Sequence, residues 1–384
     1  MAATLLSSSM ALALLPLLLL AAASIPSLAS ASPALDHGLD GEELLMLGRF
    51  HGWMAAHGRS YANEEEKLRR FKIYRSNMEL IEAANQDGRM SYQLGETPFT
   101  DLTHDEFMAQ YSSNLLSSVP PEEEMITTRA GVVHEGGGHG GDLPLAAGEE
   151  PPRPTNLTSL PASIDWRMMG VVTVPKNQGA CGSCWAFASV ATIESAQAIR
   201  TRRVPPLLSE QQLVDCDGYD QGCRGGFLGN AFRWVIQNGG ITWAPWYPYT
   251  GMSGMCQRFK PAVVRLRSYR WVAPNEVSLM QAVAQQPVAV TIDASDPCFQ
   301  HYYRGVYDGR CFWNGVYIGG ACGTAPNHAI AIVGYGTKPG GTKYWIGKNS
   351  WSVRWGDQGF VYLLRDSARV GVCGVAQQAC YPII

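Results

Sequence analysis

The chemistry in this chain gathers around one cysteine. Cys184 closes the run Gln178-Gly-Ala-Cys-Gly-Ser-Cys-Trp185, where a Gly-Ser loop enters an alanine-rich apolar stretch, residues 184–201, that reads as a buried helix. A thiol at a helix N-terminus feels the positive end of the backbone dipole, which favours the nucleophilic thiolate. The backbone N–H of Cys184 points at whatever the sulfur attacks. Gln178, six residues upstream, is within reach to donate a side-chain N–H to the same developing oxyanion. The competing readings are a structural Cys181–Cys184 bridge and a redox Cys-x-x-Cys pair. A redox pair sits beside a βαβ pattern, and none surrounds this one.

A thiolate nucleophile works with an imidazole. Of the eight histidines, His328 is best placed, at the head of the apolar run 329–333 and after the turn-like 323–327. Asn349, in Lys348-Asn-Ser-Trp351, can accept the imidazole N–H, and Trp351 can screen that bond from water. Such a set performs acyl transfer through a thioester. Water as acceptor makes a hydrolase; an amine as acceptor would make an acyltransferase. A binding protein on the same scaffold would be expected to lack the nucleophile or the base, and both stand here.

These groups need a scaffold. The 384 residues, 46% hydrophobic and 10% aromatic, suffice for two compact units plus extensions. Residues 10–23 form an apolar run followed by Ala29-Ser30-Ala31, which reads as a cleaved signal peptide, residues 1–31, rather than a membrane anchor, because Pro16 and Pro26 bracket a short core. The expected setting is the secretory pathway, ending outside the cell or in a vacuole or lysosome. All ten cysteines lie from Cys181 to Cys380, and that route permits disulfides among them. The net charge of −3 conceals an asymmetry: residues 32–159 carry 10 Lys+Arg against 21 Asp+Glu, and residues 160–384 carry 20 against 12. An acidic segment docked on a basic one would loosen as its carboxylates protonate.

Helices are expected over 41–53 and 64–85, a strand over 92–99, and a helix start at Thr103 with Glu106 as its reciprocal cap. Residues 112–159, with their Pro pairs and glycine run, read as a flexible, protease-sensitive linker. His134 and His139 within it lack the ligand count of a metal site, so no metal is expected. Beyond residue 160 come helices over 184–201, 209–214 and 227–237, then strands over 288–292, 328–333, 343–348 and 359–364. Helices first and strands afterwards give an α+β fold of two lobes with a cleft between them. The echo of Gly305-Val-Tyr in Gly315-Val-Tyr marks a small insertion.

Cys181-Gly-Ser-Cys184-Trp185, with His328 and Asn349 far downstream, resembles the papain-like cysteine proteases, in particular the cathepsin L group of plant type. Asp165-Trp-Arg, Lys176-Asn-Gln-Gly, Ser209-Glu-Gln, Cys223-Arg-Gly-Gly, Asn327-His-Ala and Tyr344-Trp-Ile match in order. The first half matches too. Glu66, Arg70, Tyr74, Asn77, Ile81 and Asn85 fill the interspersed propeptide motif, with Tyr74 where Phe is usual. Gly95, Thr97, Phe99 and Asp101 fill the second, with Thr97 where Asn is usual.

The resemblance implies a helical left lobe and a β-barrel-like right lobe, residues 160–384, preceded by a helical inhibitory propeptide, residues 32–111. It implies an endopeptidase made as a zymogen, with Cys184, His328, Asn349 and Gln178 catalytic and no cofactor. It places bridges Cys181–Cys223, Cys216–Cys256 and Cys322–Cys373, leaving Cys298, Cys311 and Cys380 unassigned; Cys298 and Cys311 could close a local loop, and Cys380 could floor the S2 pocket. Gly225 and Gly226 would pair with substrate backbone. Phe227, Leu228, Thr291, Pro326, Ala329 and Gln378 would line an apolar S2, with Asn327 and Trp351 beside the catalytic pair. Partners would be peptide or protein substrates, the chain's own propeptide and cystatin-type inhibitors, with no nucleic acid and no membrane after signal removal, for a monomeric enzyme. Asn156 is the glycosylation sequon. Ser352 stands where Gly is usual, Asn327 where papain has Asp, and the 21-residue spacing from His328 to Asn349 implies extra residues in the 338–341 turn.

Overall fold

The computed structural model describes residues 40–113, 160–313, 316–317 and 322–384. The expected signal peptide, most of the expected linker and Asn156 lie outside the described residues. Asp40 opens helix α1 (Gly41–His57) by accepting the N–H groups of Glu42 and Glu43 at 3.0 and 2.9 Å. The helix runs past its expected end at Trp53. Asn63 caps α2 (Glu64–Asp87) by accepting the Glu66 N–H at 2.8 Å, and Gly88 stops it in the left-handed conformation, φ +70°. Phe50 lies 5.5 Å from Phe71 and 5.2 Å from Tyr74, ring centre to ring centre.

The interspersed motif of α2 is one side of an interface whose other side is segment 94–102. Asn77 Nδ2 donates to the Thr100 and Leu102 carbonyls at 2.9 Å each, Asn85 exchanges two bonds with Leu94, and Arg70 donates to the Asp101 carbonyl at 3.0 Å. These bonds turn the chain away after β1 (Tyr92–Leu94), so the strand expected over 92–99 ends early. Thr97 serves in place of Asn: its hydroxyl donates to the Gln300 carbonyl at 3.2 Å and accepts the Phe99 N–H at 3.2 Å. Helix α3 (His104–Tyr111) starts with the expected Thr103–Glu106 capping box.

The peptidase half begins with β2 (Ile164–Asp165), α4 (Cys184–Thr201), α5 (Glu210–Cys216) and α6 (Leu228–Gln237). Helix α4 is buried on every side over most of its length, as its all-round apolar sequence requires. There follow β3 (Ser268–Trp271), α7 (Glu276–Val283), β4 (Val288–Ile292), α8 (Pro297–Gln300), β5 (Tyr302–Tyr307), β6 (Phe312–Trp313) and β7 (Val316–Tyr317), then β8 (His328–Thr337), β9 (Lys343–Lys348), β10 (Phe360–Leu364) and β11 (Ala379–Ile383). Strands β4 and β9 keep their expected bounds, while β3, β5, β11, α7 and α8 were not anticipated. The main sheet runs β1-β5-β10-β9-β8-β4-β11-β3, with β2 also on β8. It is an open sheet, its pairing ending at β1 and β3. Strands β5 and β10 are parallel, and β1 pairs antiparallel with β5, so prosegment and peptidase share one sheet.

Cys181–Cys223, Cys216–Cys256, Cys298–Cys311 and Cys322–Cys373 are bonded; Cys184 and Cys380 are free and buried. Among the described residues no helix is long and apolar enough to cross a membrane.

Candidate active site

Cys184 is the first residue of α4, as expected. The loop that delivers it is fixed by close packing. The Gly182 N–H donates to the Cys223 carbonyl at 2.8 Å, and a Cβ on Gly182 would lie 2.7 Å from that oxygen. The Cys181–Cys223 bridge ties the same two segments. Tyr249 locks the loop by donating to the Gln178 carbonyl at 2.6 Å, its hydroxyl 2.7 Å from Ser183 Oγ. Gln178 is buried; its Nε2 donates to the Cys181 carbonyl at 2.9 Å and its Oε1 accepts from Ser350 Oγ at 2.6 Å.

Strands β8 and β9 form a hairpin, and its tip carries Gly340 and Gly341 at φ +99° and +91°. The register sets Ala331 opposite Lys348, so His328, heading β8, and Asn349, following β9, arrive at the same end. The long spacing between them is thus the length of a hairpin. His328 Nε2 lies 2.8 Å from Asn349 Oδ1. That oxygen also accepts the Ser350 N–H at 2.8 Å, which assigns the imidazole proton to Nε2. Nδ1 is then the basic nitrogen, and it has no partner among the described residues. Trp351 covers the pair, its ring centre 4.4 Å from that of His328.

The sulfur of Cys184 meets β8 through the N–H of Ala329, next to His328. On its other side stands Ser113, whose Oγ is 3.1 Å from Sγ and whose N–H donates to the Asn327 carbonyl at 2.8 Å. Ser113 and Ser112 line a hollow with Met108, Gly182, Pro326 and Asn327, so the prosegment's tail lies in the cleft. Phe99 and Phe107 pack edge-on against Trp351 at 5.5 and 5.2 Å. This cover changes the electrostatics. Burial pushes the Cys184 thiol above its ordinary 9.0, against the smaller opposing pull of Ser113 and neighbouring N–H groups, and pushes His328 down to about 4. The thiolate expected from the helix N-terminus is therefore outweighed by desolvation while the prosegment is in place. Both shifts favour the uncharged forms at neutral pH.

Gly225 has φ +124° and Gly226 lies against Trp185, where a Cβ would come 2.5 Å from the indole. Phe227, Leu228, Ala329 and Cys380 belong to one apolar cluster, and Thr291 pairs with Ala329 across β4 and β8. Gln378 Oε1 lies 3.4 Å from Thr291 Oγ1. Asn327 acts as a clasp, its Nδ2 donating to Asp293 Oδ1 at 3.0 Å and its Oδ1 accepting the Ala294 N–H at 2.8 Å.

Sequence reasoning missed Ser113, which lies in a stretch read as linker. It also missed the polar chain behind Asn349. Lys348 donates to Thr173 Oγ1 at 2.6 Å, Thr173 donates to Glu194 Oε2 at 2.6 Å, and Lys176 bridges Glu194 and Glu210 at 2.7 and 2.5 Å. Burial pushes Lys348 down to about 8. No local spacing announces such a network, because its members come from four separate segments.

The geometry agrees with what known proteins show. Residues 160–383 match the model of the papain family of cysteine proteases, and residues 50–107 match the cathepsin propeptide inhibitor domain (I29). Ananain of Ananas comosus is 40% identical over 345 residues, covering 88% of each chain. The solved recombinant stem bromelain precursor has a TM-score of 0.75 at 37% identity, covering 88% of this chain and 99% of its own. The proform of Amb a 11, a ragweed pollen cysteine protease, has a TM-score of 0.74 at 34% identity, covering 90% and 98%. With its peptidase domain, its inhibitor domain and a buried Cys184 beneath the latter, the chain belongs to the papain family of cysteine proteases and is the zymogen of a cysteine endopeptidase.

Proposed function

We propose that Cys184 attacks the peptide carbonyl, with His328 as its proton partner through Nδ1 and Asn349 holding the ring through Nε2. The observation that carries this reading is the 2.8 Å His328–Asn349 bond, which leaves Nδ1 unclaimed, together with the unbridged state of Cys184. Gln178 Nε2 has committed one hydrogen to Cys181 and offers the other, with the Cys184 N–H, to the tetrahedral oxyanion. His328 then protonates the leaving amine, and water hydrolyses the thioester. Gly225 and Gly226 would pair with substrate backbone, and the cluster of Phe227, Leu228, Ala329 and Cys380 favours an apolar P2 side chain.

In this reading residues 32–111 inhibit and residues 112–159 are cut, with any glycan at Asn156 lost at maturation. The enzyme acts as a monomer outside the cell or in a vacuole, open to cystatin-type inhibitors. Acid starts the release from inside the prosegment. Arg69 and Arg70 bind Glu66 and Glu106 at 2.7–3.0 Å, joining α2 to α3. Hydrogen bonds from Arg69 and Arg70 hold Glu66 down to about 2, and bonds from Thr103 and both arginines hold Glu106 below 4.5 against the opposing effect of burial. Groups with lowered values stabilise the fold above their unfolded value and lose that contribution as pH falls, here from about 4.5 downward. Asp101 acts oppositely, since burial raises it.

A thiol-directed epoxide probe tests the core claim. It should label acid-matured protein and leave Cys184→Ala unlabelled, and His328→Ala should lose peptide hydrolysis. Matured protein that labels at another residue, or hydrolyses no peptide, would refute the assignment.

A further inference from the structure

Asn349 orients His328, and the residues on either side of Asn349 are pinned to one segment, residues 173–178. Before it, Lys348 Nζ donates to Thr173 Oγ1 at 2.6 Å. After it, Ser350 Oγ donates to Gln178 Oε1 at 2.6 Å, and the Ser350 carbonyl accepts the Gln178 N–H at 2.9 Å. The Ser352 N–H donates to the Lys176 carbonyl at 2.9 Å. This segment therefore ends in the oxyanion donor and grips the orienting amide through both of its neighbours.

The same segment is fastened to the helix that carries the nucleophile. Thr173 Oγ1 donates to Glu194 Oε2 at 2.6 Å, and Glu194 lies on α4, the helix that Cys184 begins. The other Glu194 oxygen accepts from Lys176 Nζ at 2.7 Å and from the Leu208 N–H at 2.9 Å, and Lys176 also reaches Glu210 at 2.5 Å. Lys348, Glu194, Glu210 and Asn349 line one hollow beside Ala329 of β8. Lys348, Thr173, Glu194 and Glu210 are all buried. Desolvation offsets most of the attraction in so dry a cluster, whereas its directional bonds fix distances.

We propose that Thr173 is a positioning residue for the catalytic groups: by joining Lys348 to Glu194, it sets the distance between Cys184 on α4 and the His328–Asn349 pair at the open end of the β8–β9 hairpin. The proposal rests on Cys184, His328 and Asn349 being the catalytic groups. Thr173 acts through Asn349 and not on the reacting atoms. Its hydroxyl is the one link in the chain that accepts from one lobe and donates to the other, and it carries no charge.

The test is kinetic and uses acid-matured enzyme, with active sites counted by the epoxide probe so that misfolded molecules do not enter kcat. Thr173→Val keeps the size of the side chain and the charge of the cluster but removes the hydroxyl. It should lower kcat about ten- to a hundredfold, as a misplacement of about 1 Å implies, with KM within about twofold of parental. The acid limb of kcat/KM should move to higher pH, because a more distant imidazolium stabilises the Cys184 thiolate less. Thr173→Ala, a second variant without the hydroxyl, should give the same split. Thr173→Ser, which keeps the hydroxyl, should recover most of the parental kcat and the parental acid limb. Parental kcat per site in Thr173→Val and Thr173→Ala, an equal loss in Thr173→Ser, or a loss with the acid limb unmoved overturns the proposal. A failure of the Cys184 assignment is distinguishable, since the parental enzyme would then take no label at Cys184.

Discussion

Burial favours the neutral forms of Cys184 and His328 in the precursor, so the prosegment is expected to inhibit by dielectric as well as by obstruction. Removing it lets water and the helix N-terminus act on the sulfur, and the ion pair can form. The ultraviolet thiolate absorbance that is lost in Cys184→Ser should therefore be near zero in the precursor and present in the mature enzyme at neutral pH. Equal signals would refute this account. Ser352 carries φ +72°, a conformation that glycine adopts without strain. Ser352→Gly should stabilise the protein by about 1 kcal/mol, read as a higher denaturant midpoint with an unchanged slope. The sequence flagged this departure, and the backbone supplies its reason. Cys184, His328 and Asn349 were legible because a nucleophile, a base and an orienting amide are chemically distinctive. Ser113 was not, since an ordinary serine acquires its place only through the course of the backbone around it.

Among the elements, β4 and β9 were legible from their apolar runs, whereas α7 was not. Its cap, Asn275 accepting the Ser278 N–H at 2.8 Å, was visible in the sequence, but the strand-like runs around it dominated the reading. Strand β1 was overestimated because hydrogen bonds from Asn77 and Asn85 override local propensity. The start of α6 depends on a similar tertiary bond: Asp220 Oδ1 accepts the Phe227 N–H and Asn230 Nδ2, both at 3.0 Å, directly after Gly225 and Gly226. Asp217 lies beside it, and burial raises both carboxyls above the ordinary 3.8. Their contribution to stability is full below that value and is lost as pH rises through the folded values. Asp217→Asn should flatten the decline of thermal stability between pH 4 and neutrality, and an unchanged slope would refute the pairing. Gly226→Ala would force a methyl into Trp185 and should lower kcat/KM by about 5- to 150-fold, the equivalent of the roughly 1–3 kcal/mol that overpacking costs.

At the scale of the whole molecule, the acidic first half and basic second half suggested docking by opposite charge. The named ion pairs of Glu66, Glu106, Arg69 and Arg70 instead tie α2 to α3, while aromatic rings and backbone bonds meet the peptidase. Glu106→Gln should make the precursor mature faster at pH 5 and depend less on further acidification, followed by gel shift; maturation identical to parental at every pH would refute release through this cluster. The two-lobed plan was legible from helices preceding strands. The sharing of one sheet between inhibitor and enzyme was not, because a three-residue strand has no sequence signature of its partner. That sharing has a consequence of its own. With β1 in place, β5 is an interior strand, flanked on both sides. Once β1 departs, β5 becomes the rim of the sheet, with main-chain donors and acceptors turned toward water and open to a strand from another molecule. The exposed Arg304 on β5 is the kind of charge that discourages such pairing. Maturation thus trades a sheathed rim for a guarded one.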